Sequence, residues 1–168
     1  MISRFASPIT VALFYLGWFG CVLLAESSWT SFTPLFPIAL LIFQVSQRLI
    51  SIKLLAFAIV ISVIGIAFDS VMLARGLISV VPAGTFPLPI WLASIWPLFS
   101  LSMVQIGSKL SVPLWLGFLL GFIFGPLSYK AGAVFEVLLF TSPLTFWIYA
   151  IFWGLAFPLI LRTSRGLA

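Results

Sequence analysis

The chain has 168 residues, 63% of them hydrophobic and 7% charged, with a mean hydropathy of +1.31. Eight Lys and Arg against three Asp and Glu give a net charge of +5, with no His and a single Cys. A soluble domain carries about 25% charged residues, so this composition excludes an ordinary water-soluble enzyme, a disordered tail and a nucleic-acid-binding domain, and leaves a polytopic membrane protein.

The expected architecture is all-α: a single transmembrane domain over residues 1–168, folded as a bundle of six spans with both termini cytoplasmic. The spans are predicted at about 8–25, 34–50, 53–72, 89–106, 111–129 and 143–161, each about 17–20 residues and long enough to cross ~30 Å with little tilt. In lipid every backbone group must be satisfied internally, which selects helices. No polar–apolar alternation is sustained, so no strands are expected.

The first run, from Ile9 to Ala25, holds the lone Cys21, which has no partner for an internal disulfide. Arg4 ahead of it gives it the look of a leader, but no small-x-small site follows, and it is read as the first span. Ser7-Pro8, Thr33-Pro34 and Ser142-Pro143 open three of the runs, with a hydroxyl at the expected N-cap and Pro at the first helical position. Ser111 before Pro113 is a looser version.

The third run, LLAFAIVISVIGIAFD, carries the most informative residue. Asp69 follows Lys53 by about 24 Å of helix, which sets its carboxylate just inside the outer boundary. An ionisable group at that depth is expensive unless paired or hydrated. Three fates are open to it: snorkelling to water, pairing with Arg75 or Lys130, or service in an outward-facing pocket.

In the fourth run, PLPIWLASIWPLF, Trp91 is expected at the outer interface, and Pro97 should kink the helix. Trp96, Ser94, Ser100, Ser102 and Gln105 add hydrogen-bonding capacity, read mainly as packing glue between helices. The fifth run places Gly117, Gly121 and Gly125 at intervals of one turn, a face on which a second helix can approach closely. Pro126 should then bend or break the helix before Tyr129 and Lys130, making a candidate binding rim. Residues 132–140 are too short to span and are read as an interfacial or re-entrant piece carrying Glu136. Trp18, Trp147 and Trp153 fall within spans and are read as filling helix interfaces.

The charges sort by side. With the N-terminus inside, Arg4, Arg48, Lys53, Lys109, Arg162 and Arg165 face the cytoplasm, whereas Arg75 and Lys130 face outward with Glu26, Asp69 and Glu136. That is the positive-inside pattern, and it accounts for the net charge without a nucleic-acid partner. No metalloprotease, phosphate-binding, nucleophile-elbow or paired-acid motif occurs. Ser108 and Lys109 offer a Ser/Lys pair, but adjacent residues point about 100° apart on a helix and this pair belongs at the cytoplasmic interface, so catalysis by it is not expected. No catalytic residue, metal or cofactor is expected.

Four segments carry a resemblance: GWFGCVL, IGIAFDS, PIWLASIWPLF and GPLSYKAG. From Leu13 to Arg162 the chain resembles an uncharacterised family of small multi-spanning bacterial inner-membrane proteins, a domain of unknown function. The family's pattern tends to carry a polar, sometimes His-containing stretch where this chain reads SLSMVQIGSKL, so any site requiring that His is absent. In size and topology the chain is also similar to the six-helix modules of energy-coupling-factor vitamin transporters and of the cell-shape protein family MreD, which bind a small ligand or a partner protein; that likeness bears on fold alone.

The expected function is therefore a non-catalytic module of the bacterial inner membrane that binds lipid, a small amphipathic ligand or a membrane protein partner. Its candidate outer pocket is formed by Asp69, Arg75, Trp91, Trp96, Tyr129, Lys130 and Glu136, with Gly117, Gly121, Gly125 and Pro126 packing helices. The alternatives are the substrate-binding component of a transporter with an outward-facing pocket, and an intramembrane lipid-modifying enzyme using Asp69 and Glu136 as acid and base.

Overall fold

A computed structural model describes residues 6–83 and 87–168. Six helices form a bundle: α1 (Ala6–Leu23), α2 (Leu35–Ser46), α3 (Ile52–Ala74), α4 (Ile90–Gly107), α5 (Leu114–Val134) and α6 (Pro143–Gly166). Four of them, α3 to α6, are long and apolar enough to cross a membrane; Pro8–Leu23 and Thr30–Ser46 are shorter apolar stretches. Large apolar side chains such as Leu16, Val63, Phe124 and Leu159 are more than half exposed on the outer helix faces. A water-soluble monomer rarely shows so much apolar surface; lipid would cover it.

Helix α4 is the centre. It packs against α1, α2, α3 and α6, while α5 packs on α6. This explains why α4 is the helix that tolerates hydroxyls: its neighbours are protein, not lipid. Thr33 and Ser94 share a hydrogen bond at 3.3 Å, and Ser62 donates to Ser100 at 3.1 Å. Gln44 donates its Nε2 to the Leu101 carbonyl at 3.0 Å. Gln105 is fully buried, and neither end of its amide has a partner among the described residues.

The helix starts differ from the Ser/Thr-Pro expectation. Pro143 does open α6 and Ser142 is its N-cap residue, but the Ser142 hydroxyl accepts no backbone N–H. Thr33 turns its hydroxyl back to the Thr30 carbonyl at 2.8 Å, and Ser111 accepts from Arg165 in the last turn of the neighbouring α6. The working cap is Ser51, which accepts from the Leu54 N–H at 3.3 Å. Arg4 and the Ser7 side chain lie outside the described residues. Helix α5 does not break at Pro126. It runs unbroken through Tyr129 and Lys130 to Val134, because one missing backbone bond is tolerable where the proline is buried against protein.

Two short strands, β1 (Ile78–Val80) and β2 (Leu138–Phe140), pair antiparallel at one end of the bundle. They correct the expectation of no strands, and β2 is what the later part of the 132–140 segment becomes. The ribbon is two strands of three residues each, with Ile78, Val80 and Leu138 buried against the helices, so it is no barrel wall and the closed-barrel rule does not bear on it.

The strands reveal an internal repeat, α3–β1–α4 against α5–β2–α6. Helix α3 ends with Gly76 N–H on the Leu73 carbonyl and Leu77 N–H on Met72, both at 2.9 Å; α5 ends with Glu136 on Ala133 and Val137 on Gly132, both at 3.1 Å. These are matching Schellman ends, each closed by a residue in the left-handed region: Gly76 at φ 65° and Glu136 at φ 60°. The middle residues of the strands, Ser79 and Leu139, pair with each other. A local two-fold axis therefore passes between the halves. Counted back from the helix ends, Asp69 matches Tyr129 and Gly65 matches Gly125.

Glu136 holds a conformation that costs a non-glycine residue about 1 kcal/mol, in the place where the first repeat has Gly76. Glu136→Gly is expected to raise the melting temperature in detergent, and an unchanged or lower midpoint would show that the exposed Glu136 side chain contributes something the backbone strain does not outweigh.

Candidate functional site

Asp69 stands one turn beyond Gly65 on the buried face of α3. Because Gly65 has no side chain, the Trp96 ring of α4 lies where a Cβ would be. That close approach carries Trp96 Nε1 to the carboxylate, where it donates to Oδ2 at 2.7 Å. From α5 the Tyr129 hydroxyl donates to both oxygens, at 3.0 and 2.9 Å. From α6 the Tyr149 hydroxyl donates to Oδ1 at 2.8 Å. One carboxylate thus ties four helices together, with no surface exposed to solvent.

The donor set is informative. All three groups are neutral, and an indole N–H can only donate, so the cluster offers an acceptor-only group what it requires. Among the described residues the carboxylate's hydrogen-bond partners are Trp96, Tyr129 and Tyr149, none of them a cation. Aromatic rings close the site on the strand side. The Phe140 ring of β2 stacks on Tyr149 and Tyr129 at 5.1 and 6.2 Å, and the two tyrosine rings lie 4.2 Å apart. Thr141 and Thr145 donate to the carbonyls of Gly76 and Leu77 at 2.7 and 3.0 Å, lashing the start of α6 to the end of α3.

Beside this cluster lies an apolar cavity of 280 Å³. Helix α1 packs on α2 and α4, and α5 packs on α6, so α1 and α5 leave a gap between them. The cavity fills that gap, with Trp18, Phe99, Phe124 and Trp153 among its walls. Trp96 and Trp153 stack at 5.3 Å with planes 3° apart. Phe135 contacts Trp18 and Phe19 at 6.3 and 6.2 Å, bridging α1 to the end of α5. Tyr129 and Trp96 line the cavity while Asp69 lies behind them. Chemically, Asp69 is placed to orient two cavity-lining side chains, with its own oxygens already occupied.

The other residues singled out from sequence fall in several places. Trp91 lines the cavity and is 2% exposed; its Nε1 donates to the Val81 carbonyl at 2.6 Å, so it is a buried strut and not an interfacial ring. Arg75 is the exposed C-cap of α3, and Glu136 is exposed at the end of α5. Lys130 is exposed and sits 4.9 Å over the Phe146 ring. None of these three is among the hydrogen-bond partners of Asp69 in the described residues. Gly117, Gly121 and Gly125 face α6 at Pro158, Trp153 and Phe157, and Pro126 is buried in the same helix. Among the described residues no three His, Cys, Asp or Glu side chains gather in a metal-binding group.

Composition and hydropathy give no sign of Tyr149, and of Trp153 they indicate only a ring that fills a helix interface. A signal for both exists: Gly65 precedes Asp69, Gly125 precedes Tyr129 and Tyr149 precedes Trp153, each by one helical turn, which puts each pair on one face.

A family model described as protein of unknown function (DUF2878) matches residues 7–159. No curated protein and no solved structure matches the chain.

Proposed function

The chain belongs to the DUF2878 family, and we propose that it is a non-catalytic membrane module that takes an amphipathic lipid from the bilayer into the cavity between α1 and α5. The observation that carries this reading is the cavity's position. It is apolar, walled by aromatic rings, and set in a gap between two helices whose outer faces are apolar. A ligand reaching it from lipid would not have to cross water. At 280 Å³ it is slightly below the ~300–1,000 Å³ of sites that enclose a whole drug-sized ligand, so it suits one end of a lipid with the remainder left in the membrane.

The placement in the membrane is part of the proposal. All six helices cross, with both termini on the cytoplasmic side of a bacterial inner membrane. In support, Arg48, Lys53, Lys109, Arg162 and Arg165 gather at the end of the bundle away from the strands, against Arg75 and Lys130 at the strand end. Asp69 then serves the site from behind, fixing Trp96 and Tyr129. A membrane protein partner fits the same reading as the source or recipient of the lipid.

The test is lipid analysis of the purified protein. Leu120 lines the cavity on α5, and Leu120→Trp is expected to fill the gap and reduce co-purifying lipid several-fold while leaving the melting temperature near that of the parent. Equal lipid recovery from both proteins would remove the cavity as the binding place.

A further inference from the structure

The two halves of the repeat treat their tryptophans differently. In the first, Trp96 lies against Gly65 and donates to Asp69 one turn along. In the second, Trp153 lies against Gly125, with its Cγ and Cδ1 edge facing α5, and the residue one turn along is Tyr129. Tyr129 stands where the first repeat has Asp69, but it is itself a donor to that carboxylate. The Tyr129 hydroxyl lies close to Trp153 without meeting its N–H in hydrogen-bond geometry, so among the described residues Trp153 Nε1, on a residue only 6% exposed, is a buried donor with no acceptor. Trp153 also lines the cavity. Buried N–H groups are nearly always paired, and the equivalent one in the first repeat is.

We infer that the acceptor for Trp153 Nε1 is brought by the ligand: an uncharged lipid whose carbonyl oxygen accepts from this indole while its apolar part occupies the cavity. This rests on the cavity being a lipid site and goes further in stating the ligand's chemistry. Three features select that class. The unmet group is a donor, so the ligand must supply an acceptor. Among the described residues no Lys or Arg lines the cavity, so none of them would compensate an anionic headgroup drawn out of water. The walls are flat and aromatic, with the Trp96–Trp153 stack among them, and suit either a planar quinone ring or an ester carbonyl followed by acyl chain.

The experiment compares three probes on the intact protein in detergent, read by native mass spectrometry. They are a prenylated benzoquinone, dioleoylglycerol, and the dioleyl diether that has the same chains and no carbonyl. At least one carbonyl probe is expected to bind about tenfold more tightly than the diether, the effect of one hydrogen bond; which one does so identifies the source of the carbonyl. Trp153→Phe removes the donor, and it is expected to erase that preference, bringing the carbonyl probe down to the affinity the same variant shows for the diether. A second readout needs no variant: the indole N–H resonance of Trp153 should move with the preferred carbonyl probe and not with the diether. Equal binding of all three probes, or a preference that survives Trp153→Phe, would overturn the inference and leave the cavity reading standing. Binding of none of the three would overturn both.

Discussion

Asp69→Ala is expected to be among the most damaging single substitutions in this protein. It strands the donors of Trp96, Tyr129 and Tyr149, which converge on the carboxylate from three helices. An unsatisfied buried donor costs about 1–3 kcal/mol, and because the three share one acceptor their losses do not simply add. A destabilisation of about 4 kcal/mol is expected, read as a lower unfolding midpoint in mixed micelles. Asp69→Asn should fall between the two, since it keeps one acceptor oxygen but turns an NH2 group toward groups that also donate. The order parent, Asn, Ala is the discriminating observation. If Asp69→Ala unfolds at the parent's midpoint, the carboxylate is not what joins α3, α4, α5 and α6.

Gly121→Ala is expected to rival it by a different route. A Cβ at Gly121 would collide with the backbone carbonyl of Trp153 and stand 2.8 Å from Phe157 Cβ. A carbonyl within a helix cannot swing aside as a side-chain tip can, so α5 and α6 must separate. Overpacking of this kind costs about 1–3 kcal/mol and at times more, and the rigid contact argues for the upper end. Gly121 also lines the cavity, so the variant should lose bound lipid together with stability. A neutral melting temperature would mean that the α5–α6 contact is looser than this distance implies.

Position along a helix is readable because helix rise is fixed: Asp69 and Tyr129 both lie near the strand end of their helices. Partners are not readable in that way. Arg75 and Lys130 were candidates to meet Asp69 because opposite charges attract, yet both are exposed, where water or headgroups solvate them without the loss of hydration that burial would impose. Neutral aromatic donors meet the carboxylate instead. Trp91 shows the same limit: an amphipathic ring near a helix start suits an interface equally well as a buried strut, and the Val81 carbonyl decides between them. The repeat was hidden because its halves share spacing more than residue type, Gly65 and Asp69 against Gly125 and Tyr129.

Composition, run length and the lack of polar–apolar alternation together pointed to apolar helices, which satisfy their own backbone in lipid, and the glycine spacing on α5 marked a close helix contact. Which helices touch, that α5 continues past Pro126, that two short segments pair as strands, and that four helices meet on one carboxylate are outcomes of packing. They depend on contacts between residues far apart in the chain, and a hydrophobic pattern is nearly blind to these because lipid and protein interiors accept the same side chains.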